Sequence, residues 1–127
     1  MKIIENILKK FHLSSKNPND NMLTAKQSME AIYNVSKMLD EKAMNLQEKF
    51  PEIRKSIHEY CEEIAKIQPS VSVRAGKFEQ ALAQQITKVS TECDKIFTSK
   101  DSKELLNEVN NLARVIRERQ NADSSEE

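Results

Sequence analysis

The sequence predicts an all-α antiparallel helical bundle, and three observations carry that reading. The first is a seam of fourteen positions, from Met22 through Ala25, Met29, Ile32, Ser36, Leu39, Ala43, Leu46, Phe50, Ile53, Ile57, Tyr60 and Ile64 to Ile67, that alternates steps of three and four. Only Ser36 in it is polar, and such spacing holds a narrow apolar stripe on one side of a helix, the pattern of coiled coils and tight bundles. The second is turn chemistry: one Gly and three Pro in 127 residues leave too little of it for β-hairpins. The third is a pair of later stripes at the same spacing, in residues 73–97 and 102–120. One domain of this length can bury a real core.

In chain order, residues 1–12 (MKIIENILKKFH) read as a short amphipathic helix. Ile3, Ile4, Ile7, Leu8 and Phe11 fall on one face, and Lys2, Lys9 and Lys10 lie off it. A helix this short is marginal in water, so its apolar face needs the bundle, another protein or a membrane. With lysines beside the apolar face it could lie among anionic lipid headgroups. Residues 13–21 (LSSKNPNDN) read as a linker rich in turn formers, with Asp20 or Asn21 as the N-cap of the first main helix.

Good helix formers then run from Met22 to Lys49. Pro51 lies within the seam without shifting its phase. Proline restricts the residue before it and favours a helix start, which predicts a hairpin of two helices. Continued phase with no Gly or Asn cap predicts instead one kinked helix, 22–67, packed on two shorter ones. Gln68-Pro69-Ser70 ends this span, and Ser70 or Ser72 caps the next helix, whose stripe is Ala75, Phe78, Leu82, Ile86, Val89, Cys93 and Ile96. After a turn at 98–102, with Asp101 and Glu104 spaced as a capping-box variant, the last helix offers Leu105, Val109, Leu112 and Ile116, widened by Leu106, Ala113 and Val115. Arg114, Arg117 and Arg119 suit the C-terminal end of its macrodipole as solvated side chains. Residues 121–127 read as a disordered acidic tail.

Twenty basic and twenty acidic residues are interspersed, so no stripe of Lys and Arg marks a nucleic-acid binder. Cys61 and Cys93 form no zinc-ligand spacing. If the helices flanking Pro69 pack against each other, the two thiols stand roughly 20 Å apart, too far for a disulfide. No secretory signal or membrane-spanning stretch is evident, and the expected setting is a reducing cytoplasm, with membrane association through residues 1–12 as the variant. His58, Cys61, Glu62 and Glu63 cluster on one helix but supply too few ligands of the right kinds for a metal site, and the Glu-x-x-His pattern of di-iron bundles fails because Lys55 stands where its Glu would be.

No phosphate loop, nucleophile elbow or triad spacing is present, and the expectation is no catalytic residue, no cofactor and no metal. Met38 and Met44, beside the seam, are the expected exposed helical contacts. The functional expectation is a non-enzymatic interaction protein (adaptor, assembly factor or small chaperone) that holds another protein or a second copy of itself. The alternative is a peripheral membrane protein anchored by residues 1–12, and the third reading is a helical-bundle enzyme or metal-binding protein.

Overall fold

A computed structural model describes residues 18–122 of the chain. These fold into α1 (Pro18–Ala43), a 3-10 turn (Met44–Leu46), α2 (Pro51–Ala65), α3 (Val73–Ser99) and α4 (Lys103–Asn121). The expected helix over residues 1–12 and most of the acidic tail lie outside the described residues. α1 begins at Pro18, inside the stretch read as linker, so neither Asp20 nor Asn21 is its cap. Proline at a first helical position has no amide hydrogen to leave unpaired and already holds helical φ.

Pro51 marks a hairpin. α1 gives way to the 3-10 turn, Phe50 leaves the helical region at φ −135° and ψ 59°, and Pro51 opens the next helix. A proline ring disfavours helical backbone in the residue before it, so the helix cannot run straight through. The chain then reverses: His58 of α2 meets Asp40 of α1, Cys61 meets Ser36, and the Tyr33 hydroxyl donates to the Ile67 carbonyl. The seam of 22–67 thus serves two antiparallel helices instead of one long rod, and eleven of its fourteen residues are buried, Met22, Phe50 and Tyr60 being the exceptions.

α3 does not pack beside α2, which corrects the pairing expected about Pro69. The packed neighbours are α1 with α2, α1 with α3, α3 with α4, and α2 with α4. Ser28 meets Glu79 and Lys42 meets Ser90 and Asp94, so α1 and α3 run parallel. Gln85 meets Glu108 and Glu79 meets Arg119, so α3 and α4 run antiparallel. α2 and α3 therefore stand on a diagonal of the bundle, and residues 66–72 cross its end. With neighbouring axes about 10 Å apart the diagonal is about 14 Å, within reach of seven extended residues at about 3.3 Å each. Cys61, level with Ser36, and Cys93, level with Lys42, are separated by about six positions, or roughly 9 Å, along the axis. That is less than the expected separation, yet both thiols are free and buried.

Ser72 caps α3, its hydroxyl accepting from the Ala75 amide at 3.1 Å. The capping box expected at Asp101 and Glu104 does not form. Ser102 is the N-cap of α4, and the Asp101 carboxylate accepts from the Lys103 amide at 3.0 Å. Lys100 takes the left-handed conformation that ends α3, at φ 60°. All four helices contribute to one core, which includes Met29, Leu39, Ile57, Ile64, Leu82, Val89, Leu112 and Ile116.

The largest departure from expectation is Arg119, which is 1% exposed instead of solvated. Its Nε donates to Glu79 Oε2 and its Nη2 to the Gln68 carbonyl, each at 2.8 Å. Ser28 Oγ donates to the other Glu79 oxygen at 2.8 Å. Among the described residues no buried side-chain nitrogen or oxygen lacks a partner. Removing one member of a buried ion pair leaves an uncompensated charge, whereas replacing both with apolar groups need not destabilise. Arg119→Met is therefore expected to cost about 3–5 kcal/mol in urea unfolding, and adding Glu79→Leu to restore most of it. An equal loss in single and double variants would refute this account.

Candidate functional site

The parallel packing of α2 and α4 opens a groove at the end of the bundle where both helices begin. It encloses about 460 Å³. Phe50, Pro51, Ile53, Tyr60, Leu106 and Val109 supply apolar lining, and Lys49, Glu52, Ser56, Ser102 and Asn110 the polar part. Each wall follows from local sequence. Pro51 keeps Phe50 out of the helical conformation at the head of α2, and Tyr60 stands half-buried on the seam. On α4 the stripe residues Leu105 and Val109 turn into the core, which leaves Leu106 one position off the stripe and 44% exposed. A groove with an apolar floor and scattered polar groups is the usual form of a site that takes an apolar partner.

A second, smaller concavity of about 310 Å³ lies between α1 and α2, lined by Tyr33, Ser36, Lys37, Asp40, Cys61, Glu62 and Ala65. His58 stands beside it between two carboxylates, with Nδ1 3.0 Å from Asp40 Oδ2 and Nε2 3.1 Å from Glu62 Oε1. Arg54 approaches Asp40 at 4.0 Å. Cys61 is three residues from His58 in sequence, but its Sγ donates to the Ser36 carbonyl at 3.4 Å. Burial pushes the Cys61 thiol up to about 11, against a partial lowering by its hydrogen bond to Ser36. A thiol so held is protonated near neutrality and is a poor nucleophile and metal ligand. Burial likewise raises Cys93 to about 11.

Among the described residues no group of three or more His, Cys, Asp and Glu side chains could hold a metal ion. His58 and Glu62 come together as the sequence spacing implies, while Cys61 turns inward. Met38 and Met44 are 66% and 59% exposed, and neither lines the groove. Ile3, Ile4, Ile7, Leu8, Phe11, Lys2, Lys9 and Lys10 lie outside the described residues. In sequence Phe50, Tyr60 and Leu106 belong to the seam or the widened stripe, and nothing in one helix reveals that they face each other across α2 and α4.

The chain matches no protein-family model, no curated protein and no solved structure.

Both cysteines ionise near 9 when unperturbed and near 11 in the fold. A group whose pKa is raised by folding contributes stability below its unfolded pKa and loses it as pH rises through the folded value. Stability is therefore expected to fall between pH 9 and pH 11, and less steeply in a Cys61→Ala, Cys93→Ala double variant. Urea midpoints across that window give the measurement, and equal slopes would remove the thiols as the cause. At pH 8 about one thiolate in a thousand is expected, so a thiol reagent should label the folded chain at least tenfold more slowly than the urea-unfolded chain.

Proposed function

We propose that this chain is a non-enzymatic helical interaction protein, an adaptor, assembly factor or small chaperone, and that the groove between α2 and α4 receives apolar side chains of a protein partner. The observation that carries the reading is Leu106, exposed on an otherwise well-sorted helix and facing a groove that also holds Phe50 and Tyr60. Aromatic and aliphatic anchors in a concave, partly desolvated setting are what concentrate binding energy at protein interfaces. The dimensions suit one helix face or a short extended segment.

The buried ion pair and the thiol nearest His58 have structural uses, which supports this reading over catalysis. Glu79 and Arg119 are both buried and occupied with each other, and the Cys61 thiol is occupied with backbone. Free thiols are also what a reducing compartment such as the cytoplasm maintains.

A photo-crosslinking residue at position 106, with one at the exposed Lys55 as control, tests the proposal in the cells that make the protein. The expected result is a discrete adduct from position 106 alone, identified by mass spectrometry as one partner or a second copy, and suppressed when unmodified chain is supplied in excess. Leu106→Glu in the purified protein should reduce binding of that partner at least tenfold while leaving the helical circular dichroism unchanged. No adduct above the Lys55 control would overturn it.

A further inference from the structure

The groove between α2 and α4 is bordered by two rims of opposite character. Ser56 lines it from α2, and Glu52, Glu59 and Glu63 stand four before, three after and seven after it, so they follow the same edge of that helix. Leu106 and Asn110 line it from α4. Lys103 stands three before Leu106, and Arg114 and Arg117 stand four and seven after Asn110, along the facing edge. All six charged side chains are exposed, and among the described residues only Arg114 of the six is in an ion pair, with Glu118.

Neighbouring charges do not erase the contrast. Lys55 and Lys66 border the α2 rim on its outer side, which leaves three acidic residues there against two basic ones. On α4, Glu104 and Glu118 lie on the side of Glu108 and Asn111, which is turned towards Gln85 of α3. The loops at the open end add Glu48 with Lys49 and Lys100 with Asp101, in balance. Asp123, Glu126 and Glu127 follow α4 in sequence, and α4 ends away from the groove.

We propose that the occupant of the groove is a second copy of this chain, in a two-fold dimer whose axis runs along α2 and α4. The inference rests on the reading of the groove as a protein interface and names its partner. A two-fold axis in that direction keeps every residue at its own level and exchanges left for right, so α2 of one copy faces α4 of the other. The groove places Ser56 beside Leu106 and Tyr60 beside Asn110, an offset of about fifty positions. At that offset Glu52 comes level with Lys103 of the second copy and Glu63 with its Arg114, each contact being made twice. The like-charge match, Lys66 with Arg117, falls where α2 has already ended at Ala65. Leu106 of each copy is carried across to Ser56 and Tyr60 of the other, which covers the exposed leucine. A two-fold axis across the helices would instead set α2 on α2, acid on acid. With a formal net charge of zero the copies do not repel each other at long range. An anionic lipid surface would meet the carboxylates of α2, and no helix among the described residues is long and apolar enough to cross a membrane.

Sedimentation of the full chain over a range of concentrations, with charge reversal on each rim, tests the proposal. The unmodified chain is expected to form a dimer that weakens at high salt. Glu52→Lys with Glu63→Lys, and separately Lys103→Glu with Arg114→Glu, should each weaken it at least about tenfold, because like charges then face each other. Mixing the two variants should restore association as a heterodimer, since each rim again meets its opposite. Helical circular dichroism should stay unchanged, all four positions being exposed. Leu106→Glu should also abolish the dimer. A monomer at every concentration, a dimer indifferent to these variants, or a mixture that stays monomeric would overturn the proposal. So would a position-106 adduct with a different protein, which keeps the groove as an interface and gives it another partner.

Discussion

The structure depends on how the early end of α2 is closed. α2 stops at Ala65 while α1, α3 and α4 continue, so the carbonyls of Ile67 and Gln68 leave the helix without helical partners. Backbone acceptors drawn partly out of water in this way need donors from elsewhere. Tyr33 supplies one from α1 and Arg119 supplies the other from α4. Bringing the Arg119 guanidinium into the interior requires a counter-charge, which Glu79 provides from α3, and Ser28 of α1 occupies the second Glu79 oxygen. One missing stretch of helix thus accounts for four polar side chains, of which Ser28, Glu79 and Arg119 are buried. The Tyr33 hydroxyl is held in its neutral form by desolvation, with Arg119 opposing that shift and Glu79 adding to it.

The same closure fixes the topology. Its partners come from α1, α3, α4 and the 66–72 connector, so the diagonal crossing is fastened at its middle as well as its ends. The remaining links are lighter. Lys42 joins α1 to α3 at the far end, and Gln85 with Asn111 holds Glu108, whose carboxyl those hydrogen bonds lower. Surface pairs such as Lys42–Asp94 contribute little to stability. The polar links across the interior are therefore concentrated at one end, and the apolar groove lies at the other.

The sequence makes much of the helical core legible. Ile53, Ile57 and Ile64 on the first span, and Leu82, Val89 and Leu112 on the later stripes, are buried as their spacing implies. Direction is not legible. The 3-10 turn and the residues up to Phe50 occupy seven positions, one heptad, so the seam keeps its phase while the chain reverses. Glu79 and Arg119 do leave a signal. Steps of four and three through Ala75, Glu79, Leu82 and Ile86, and through Leu105, Val109, Leu112, Ile116 and Arg119, place both on their seams. Taking Phe78 as the stripe residue, and Arg119 as one of three terminal arginines, hides the pair. The groove depends on which helices become neighbours, and periodicity within one helix carries no information about that.

The diagonal crossing has an electrical consequence. In a square bundle whose neighbours all alternate in direction, each helix dipole is offset by the two beside it. Here every helix has one parallel neighbour, so on that side the dipoles add instead of cancelling. The beginnings of α2 and α4 stand together at the groove, and those of α1 and α3 stand together at the opposite end. Each helix start carries about half a positive charge. Each helix end carries about half a negative charge in turn, so the path of seven connector residues divides each end of the molecule into a positive side at the two helix starts and a negative side at the two helix ends, before any side chain is counted.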